Sequence, residues 1–356
     1  MHITRNAATL ALGTALLTST ALSTQPAVAA TPTPTDGWAV TTLQPSARRG
    51  AAQQMVLLSP TGKQYRVARV GALASIVDLS RDGRRVLYVD HASGKAVYRI
   101  FDLRTRRVTA VAGAATDPAE VRFSNPSGTA LLVNTYGRGL LRTTLGGSLQ
   151  ARYAGTKGSS FATQSPDGLF VVSQSSTSRL QVNGNKGALV RTLPTPKGYR
   201  NCMPGHWTSR TQLTGVCFLR TSPGTGQVFR FDVRGTAPVA LTTALPTKPV
   251  QYSLGYQDHW RTPKGTVVAK INGCGSPSLA RVRGSRLSWL PVGGDKSGAI
   301  AITGRSITYL TATHCGGDLL ALHSYDLGTG RSILLAGGTA NRGMRVTSAV
   351  VLDRTR

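Results

Sequence analysis

Two His-Trp pairs carry the most suggestive chemistry in this chain: His206-Trp207 and His259-Trp260, with Asp258 beside the second. Imidazole titrates near neutral pH and is the commonest metal ligand. Two imidazoles at matching positions of successive structural units would face one another near a central axis and form a metal or ligand site. Zinc takes three or four ligands with a supporting shell, and spacing supplies no third, so no metal and no cofactor is expected. Paired Trp packing with hydrogen-bonded His beside it is the reading of these residues.

Four cysteines lie between Cys202 and Cys315. Cys202 and Cys217 flank the turn Ser209-Arg210-Thr211-Gln212 almost symmetrically, so antiparallel strands meeting there make them cross-strand neighbours. Cys274 and Cys315 sit in equivalent loops of adjacent units, Gly273-Cys274-Gly275 and His314-Cys315-Gly316. The expected disulfides are therefore Cys202–Cys217 and Cys274–Cys315. No Cys-x-x-Cys occurs, and redox use of the thiols is not expected.

Hydrolytic motifs are missing. A Gly-x-Ser-x-Gly elbow is absent, and Glu120 is the only Glu, whereas glycoside cleavage calls for two carboxylates. Once the turn aspartates are set aside, Asp78, Asp90, Asp117, Asp258, Asp295 and Asp318 remain. A hydrolase or lyase assembled from scattered positions around a channel is the alternative function.

Charge points elsewhere. Lys plus Arg number 42 against 14 Asp plus Glu, a formal charge of +28, which draws a protein to polyanions. The densest basic group is Arg81, Arg84, Arg104, Arg106 and Arg107, the candidate anion contact. Nucleic acid is not the expected partner: the basic residues form no single run, and aromatics for base stacking make up 6% of residues. The N-terminal thirty residues read as a signal peptide, with Arg5, an apolar run from Ala7 to Leu22 and a small-residue site at Ala27-Val28-Ala29. Residues 31–35 are a Thr/Pro spacer, and 36–356 form one domain. No later stretch approaches the roughly 20 apolar residues of a spanning helix. A secreted or envelope-associated monomer without a transmembrane segment is expected.

The elements that must position these residues recur every forty to fifty residues. A polar turn precedes a β-rich stretch at Ser80-Arg81-Asp82-Gly83, Asn125-Pro126-Ser127-Gly128, Ser165-Pro166-Asp167-Gly168 and Thr262-Pro263-Lys264-Gly265. Gly37, the degenerate turn at Ser209 and Gly304 complete seven. In phase with it runs a second marker, an aromatic-Asp-apolar ending at Phe101-Asp102-Leu103, Phe231-Asp232-Val233 and Tyr325-Asp326-Leu327. Such intervals suit four short strands per unit. Ser348-Ala349-Val350-Val351-Leu352-Asp353 reads like Ser75-Ile76-Val77-Asp78-Leu79-Ser80 but stops at its turn, and Asp36-Gly37-Trp38 resumes there. The fold expected is an all-β, seven-bladed β-propeller closed by the C-terminal strand pairing into the N-terminal blade, with six or eight blades, or an open β-solenoid, as alternatives.

The Ser-Pro-Asp-Gly turn at Ser165, the Ser-Arg-Asp-Gly turn at Ser80 and the closing turn Tyr325-Asp326-Leu327-Gly328-Thr329-Gly330 resemble the repeats of TolB-like propellers, which are related to WD-repeat propellers in architecture. The TolB pattern places an α/β domain ahead of six blades, whereas this chain reads as propeller only, with seven. Those repeats are shared by envelope adaptor proteins and by the propeller parts of some peptidases. The resemblance therefore implies a binding scaffold for an envelope protein partner or an anionic polymer, and specifies architecture more closely than function.

Overall fold

The computed structural model describes residues 32–45, 50–91, 94–112, 118–135, 138–157, 162–221, 226–241, 256–271, 277–283, 286–292, 297–314, 317–338 and 343–353. The expected signal peptide, Cys274 and Cys315 lie outside the described residues. Every described element is a strand, and the strands form seven four-stranded antiparallel sheets.

The first blade holds β1 (Ala39–Pro45), β2 (Gln53–Leu58) and β3 (Gln64–Val70). The second runs β4 (Ser75–Leu79), β5 (Arg85–Asp90), β6 (Val97–Asp102), β7 (Val108–Ala110), and the third β8 (Pro118–Phe123), β9 (Ala130–Thr135), β10 (Gly139–Thr144), β11 (Leu149–Arg152). The fourth comprises β12 (Ala162–Gln164), β13 (Phe170–Gln174), β14 (Leu180–Gly184), β15 (Leu189–Thr192), and the fifth β16 (Tyr199–Trp207), β17 (Gln212–Leu219), β18 (Gly226–Asp232), β19 (Val239–Ala240). The sixth is β20 (Tyr256–Thr262), β21 (Gly265–Ile271), β22 (Pro277–Arg283), β23 (Arg286–Trp289), and the seventh β24 (Ser297–Thr303), β25 (Ser306–Ala312), β26 (Leu319–Asp326), β27 (Ser332–Gly337). The last strand, β28 (Met344–Val351), returns to the first blade and pairs antiparallel with β1, Val350 opposite Val40 and Val351 opposite Ala39. Backbone bonds from Gly37 N to Leu352 O (2.9 Å) and from Leu352 N to Trp38 O (2.7 Å) complete the seal. The protein is a seven-bladed β-propeller with β28 as the innermost strand of its first blade.

The core is distributed between blades, because both faces of each middle strand are covered and alternate side chains point to opposite neighbours. On β5, Val86 and Tyr88 pack against Met55, Leu57 and Val67 of the first blade, while Leu87 between them packs against Val121, Phe123 and Leu131 of the third. On β21, Val267 and Ala269 face the seventh blade and Val268 faces Val228 of the fifth. Every blade junction among the described residues has such a cluster, each fully buried Leu or Val contributing about 1.5–3 kcal/mol.

The repeated turns follow from local hydrogen bonding. Ser80 Oγ donates to Asp82 Oδ1 (2.6 Å) and accepts from Arg85 N (2.8 Å), and Asp82 Oδ1 accepts from Arg84 N (3.0 Å). Ser165, Asp167, Leu169 and Phe170 repeat the same bonds at the fourth blade. In the closing turns, Asp102 Oδ1 accepts from Arg104 N and Thr105 N, and Asp326 Oδ1 from Gly328 N and Thr329 N. These bonds help hold both carboxyls below the usual carboxylate range: at Asp326 the Thr329 amide leads, while at Asp102 the amides of Thr105 and Arg104 outweigh the opposing effect of burial. Gly168 combines a φ of +75° with a backbone position at which a Cβ would fall on the Asn125 carbonyl oxygen of the preceding blade. Only glycine meets both demands.

The expected Cys202–Cys217 disulfide is formed across β16 and β17, with both residues buried. It closes a sequence separation of 15, a loop length for which the chain-entropy model gives about 3 kcal/mol of stabilisation.

The turn glycines allow a paired test. Gly265 also has positive φ (+104°), but nothing lies within 4 Å of its virtual Cβ. Gly168→Ala should therefore lower unfolding free energy by more than Gly265→Ala, for which backbone strain alone predicts roughly 1–3 kcal/mol. Denaturant titration of both variants measures the difference, and equal losses would remove the inter-blade contact as a cause.

Candidate functional site at the channel mouth

The innermost strands converge on a cavity of about 500 Å³ at the centre of the ring. Each blade contributes a wall residue: Val350 of β28, Asp78 of β4, Glu120 of β8, Gln164 of β12, His206 of β16, Asp258 of β20 and Ile300 of β24. Leu79, Arg81, Asn125, Leu352 and Asp353, which also line it, lie at or just beyond the ends of innermost strands. The cavity therefore sits toward the face that carries the first and closing turns.

The carboxylates reach the cavity through β-bulges. Register slips between Ile76 and Asp78 on β4, between Pro118 and Glu120 on β8, and between Tyr256 and Asp258 on β20. A bulge inserts one unpaired residue and re-aims the next side chain. Asp78 thereby reaches the adjacent blade, where Oδ2 accepts from Phe123 N (2.7 Å), while Oδ1 accepts from Leu79 N (2.9 Å). Burial pushes the Asp78 carboxyl up to about 6, against the lowering effects of the Phe123 amide and of Arg122. Glu120 forms an ion pair with Arg122.

In place of two facing imidazoles, the fold pairs His206 with Asp258. The slip on β20 turns Asp258 toward the fifth blade, where Oδ1 meets His206 Nδ1 (2.9 Å) and accepts from Thr214 Oγ1 (2.9 Å) and His259 N (2.8 Å). The Trp260 ring lies parallel to the His206 imidazole, with centroids 5.4 Å apart and planes 4° apart. His259 is buried and does not line the cavity, and burial lowers its pKa. Among the described residues, no group of three or more His, Cys, Asp or Glu is arranged to hold a metal ion.

The candidate anion contact divides into three parts. Arg84, Arg104 and Arg107 are exposed, Arg81 lines the cavity, and Arg106 donates from Nη2 to Val67 O of the first blade (2.6 Å). Arg106 is one of several arginines that reach across a blade junction. Arg281 Nη2 donates to Leu327 O (2.6 Å), Arg142 to Asn185 and Arg191 to Arg234 O. Part of the cationic excess thus satisfies carbonyls and amides between blades.

No family model matches the chain, and no curated protein does. Solved structures match over most of its length. A prolyl endopeptidase aligns at 13% identity and a TM-score of 0.54, covering 86% of this chain, which spans about half (50%) of that one. The dihydro-heme d1 dehydrogenase NirN, solved in complex with DHE, aligns at 16% identity and a TM-score of 0.53, covering 93% of this chain and 78% of its own. TolB from Acinetobacter baumannii aligns at 12% identity and a TM-score of 0.45, covering 88% and 67%. The resemblance read from the turns is met at the level of propeller architecture, by propellers of several kinds.

Asp78 generates a pH prediction. Its pKa of about 6 in the folded state lies above the ordinary 3.8, so the folded protein holds a proton that the unfolded chain has released between these values. Stability from this group is complete below about pH 4 and is lost as pH rises through 6, by at most ~3 kcal/mol. Buried His259 and half-buried His323 act in the opposite sense, their lowered pKa values removing stability as pH falls below 6.5. The difference in unfolding free energy between wild type and Asp78→Asn isolates the carboxyl. It should shift against wild type from pH 4 to 7; a flat difference refutes the assignment.

Proposed function

We propose that the chain is an exported, non-catalytic binding scaffold that engages an anionic partner, either an acidic envelope protein or an anionic polymer, through the face carrying its first and closing turns. The observation that carries this reading is the exposure of Arg84, Arg104 and Arg107 on the same face as the channel mouth, with Arg81 at the cavity wall. The formal charge of +28 supports it, since long-range attraction to a polyanion scales with clustered charge. Binding of this kind releases counterions and weakens linearly in log affinity against log salt.

Retention on immobilised dextran sulfate should fall steeply between low and moderate salt. A variant with Arg84, Arg104 and Arg107 replaced by Ser should elute earlier, with a shallower salt dependence. Arg106 is left in place because it holds the first blade. Unchanged elution of the variant overturns this face as the contact.

Hydrolase or lyase activity at the channel is the second reading, favoured by the His206–Asp258 pair, whose geometry suits a general base. Turnover of an ester or glycoside panel that disappears in His206→Ala would favour it over the scaffold.

A further inference from the structure

The channel cavity has the opposite electrostatic character to the molecule around it. Asp78, Glu120, Asp258 and Asp353 line it, four carboxylates against the two guanidiniums of Arg81 and Arg122. Arg122 is engaged by Glu120. In a chain of +28, these walls carry a local excess of carboxylates.

His206 supplies the second, independent observation. Its side chain is only 10% exposed, yet it borders the cavity. Asp258 Oδ1 faces Nδ1 at 2.9 Å, which places a ring proton on Nδ1; the neutral ring then presents the Nε2 lone pair as an acceptor. Among the described residues Nε2 has no protein partner, while Trp260, Asp258 and Thr214 fix the plane of the ring. An acceptor on a ring held this firmly at the cavity wall, with no protein donor, is the complement of a ligand's N–H group.

We infer that the channel cavity binds a small organic cation, a primary ammonium on a slender stem, whose N–H groups are accepted by His206 Nε2 and by the carboxylates of Asp78 and Asp258. An anion would meet four carboxylates against two guanidiniums, and an apolar molecule would leave the imidazole acceptor without a donor. A volume near 500 Å³ lies within the range of small-ligand sites. Burial raises the Asp78 carboxyl despite the Phe123 amide and Arg122, and a nearby ammonium favours its charged form. The site is independent of the polyanion contact, since it uses none of Arg84, Arg104 or Arg107.

The test is calorimetric titration of the intact chain with 1,4-diaminobutane, and in a second arm with an N-acetylated, C-amidated Gly-Lys-Gly peptide. Saturable one-to-one binding of the diamine is expected, with none of 1,4-butanediol or succinate. Tighter binding of the peptide than of the diamine assigns the site to a lysine side chain of a partner; the reverse assigns it to a free amine. His206→Asn and Asp78→Asn should each weaken the diamine by about tenfold or more while leaving dextran sulfate retention at the wild-type level. Should a variant fail to melt cooperatively, the wild-type protein alone decides through its imidazole 15N spectrum: the His206 Nε2 resonance must move with diamine concentration. Absence of saturable binding at millimolar diamine, an unmoved Nε2, or equal binding of succinate overturns the proposal.

Discussion

The pairing of β28 with β1 is the contact on which the rest of the molecule depends. A row of small sheets has two raw ends, each with an unsatisfied apolar face and unpaired backbone groups. Joining Met344–Val351 to Ala39–Pro45 removes both ends together. The cluster between the seventh and first blades, with Leu43, Val56 and Leu58 against Leu322, Leu335 and Ala336, exists because the circle closes. So does the cavity, since Val350 of β28 supplies its seventh wall. Below Val350 the seam is polar: Thr42 Oγ1 bonds the hydroxyls of Thr347 (2.7 Å) and Ser348 (2.6 Å), and Ser348 Oγ accepts from Ile76 N of the next blade (2.8 Å).

The architecture was legible because it rests on short-range rules. Ser-x-Asp-Gly makes its own bonds within five residues, a Gly at positive φ leaves a visible mark, and the cross-strand position of Cys202 and Cys217 follows from symmetry about a turn. The site was much less legible. Asp78 was visible only as an aspartate without a turn to explain it, Asp258 as the neighbour of His259, Glu120 only as the lone Glu, and Asp353 as one more turn residue. What brings Asp78, Glu120 and Asp258 together is a register slip of one residue in each of three inner strands. The sequence signature of a bulge is weak, and a shift of one reverses the face on which a side chain stands. That reversal gave Asp258, rather than His259, to His206.

Arginine has two separate roles in this fold. Some guanidiniums project from the turns, while Arg106, Arg142, Arg191 and Arg281 extend to an acceptor on the neighbouring blade. The planar, multi-donor head suits that role, being charged at every ordinary pH and able to satisfy a carbonyl at the end of a long stem. A net charge computed from sequence counts both populations alike, so it overstates the part free to attract a ligand.

The seam between the first and last strands also has a temporal consequence. Thr42 and Ser348 are separated by 306 positions, so during synthesis β1 emerges long before the partner that completes its sheet. Six blades can assemble by local hairpins while the inward border of the remaining one stays open. Final consolidation is then a single late, long-range event, and such non-local pairings are slow to form. Until it happens, the nascent ring offers an unclaimed strand border to any passing polypeptide, and the interval before docking is the period of greatest exposure to misassembly.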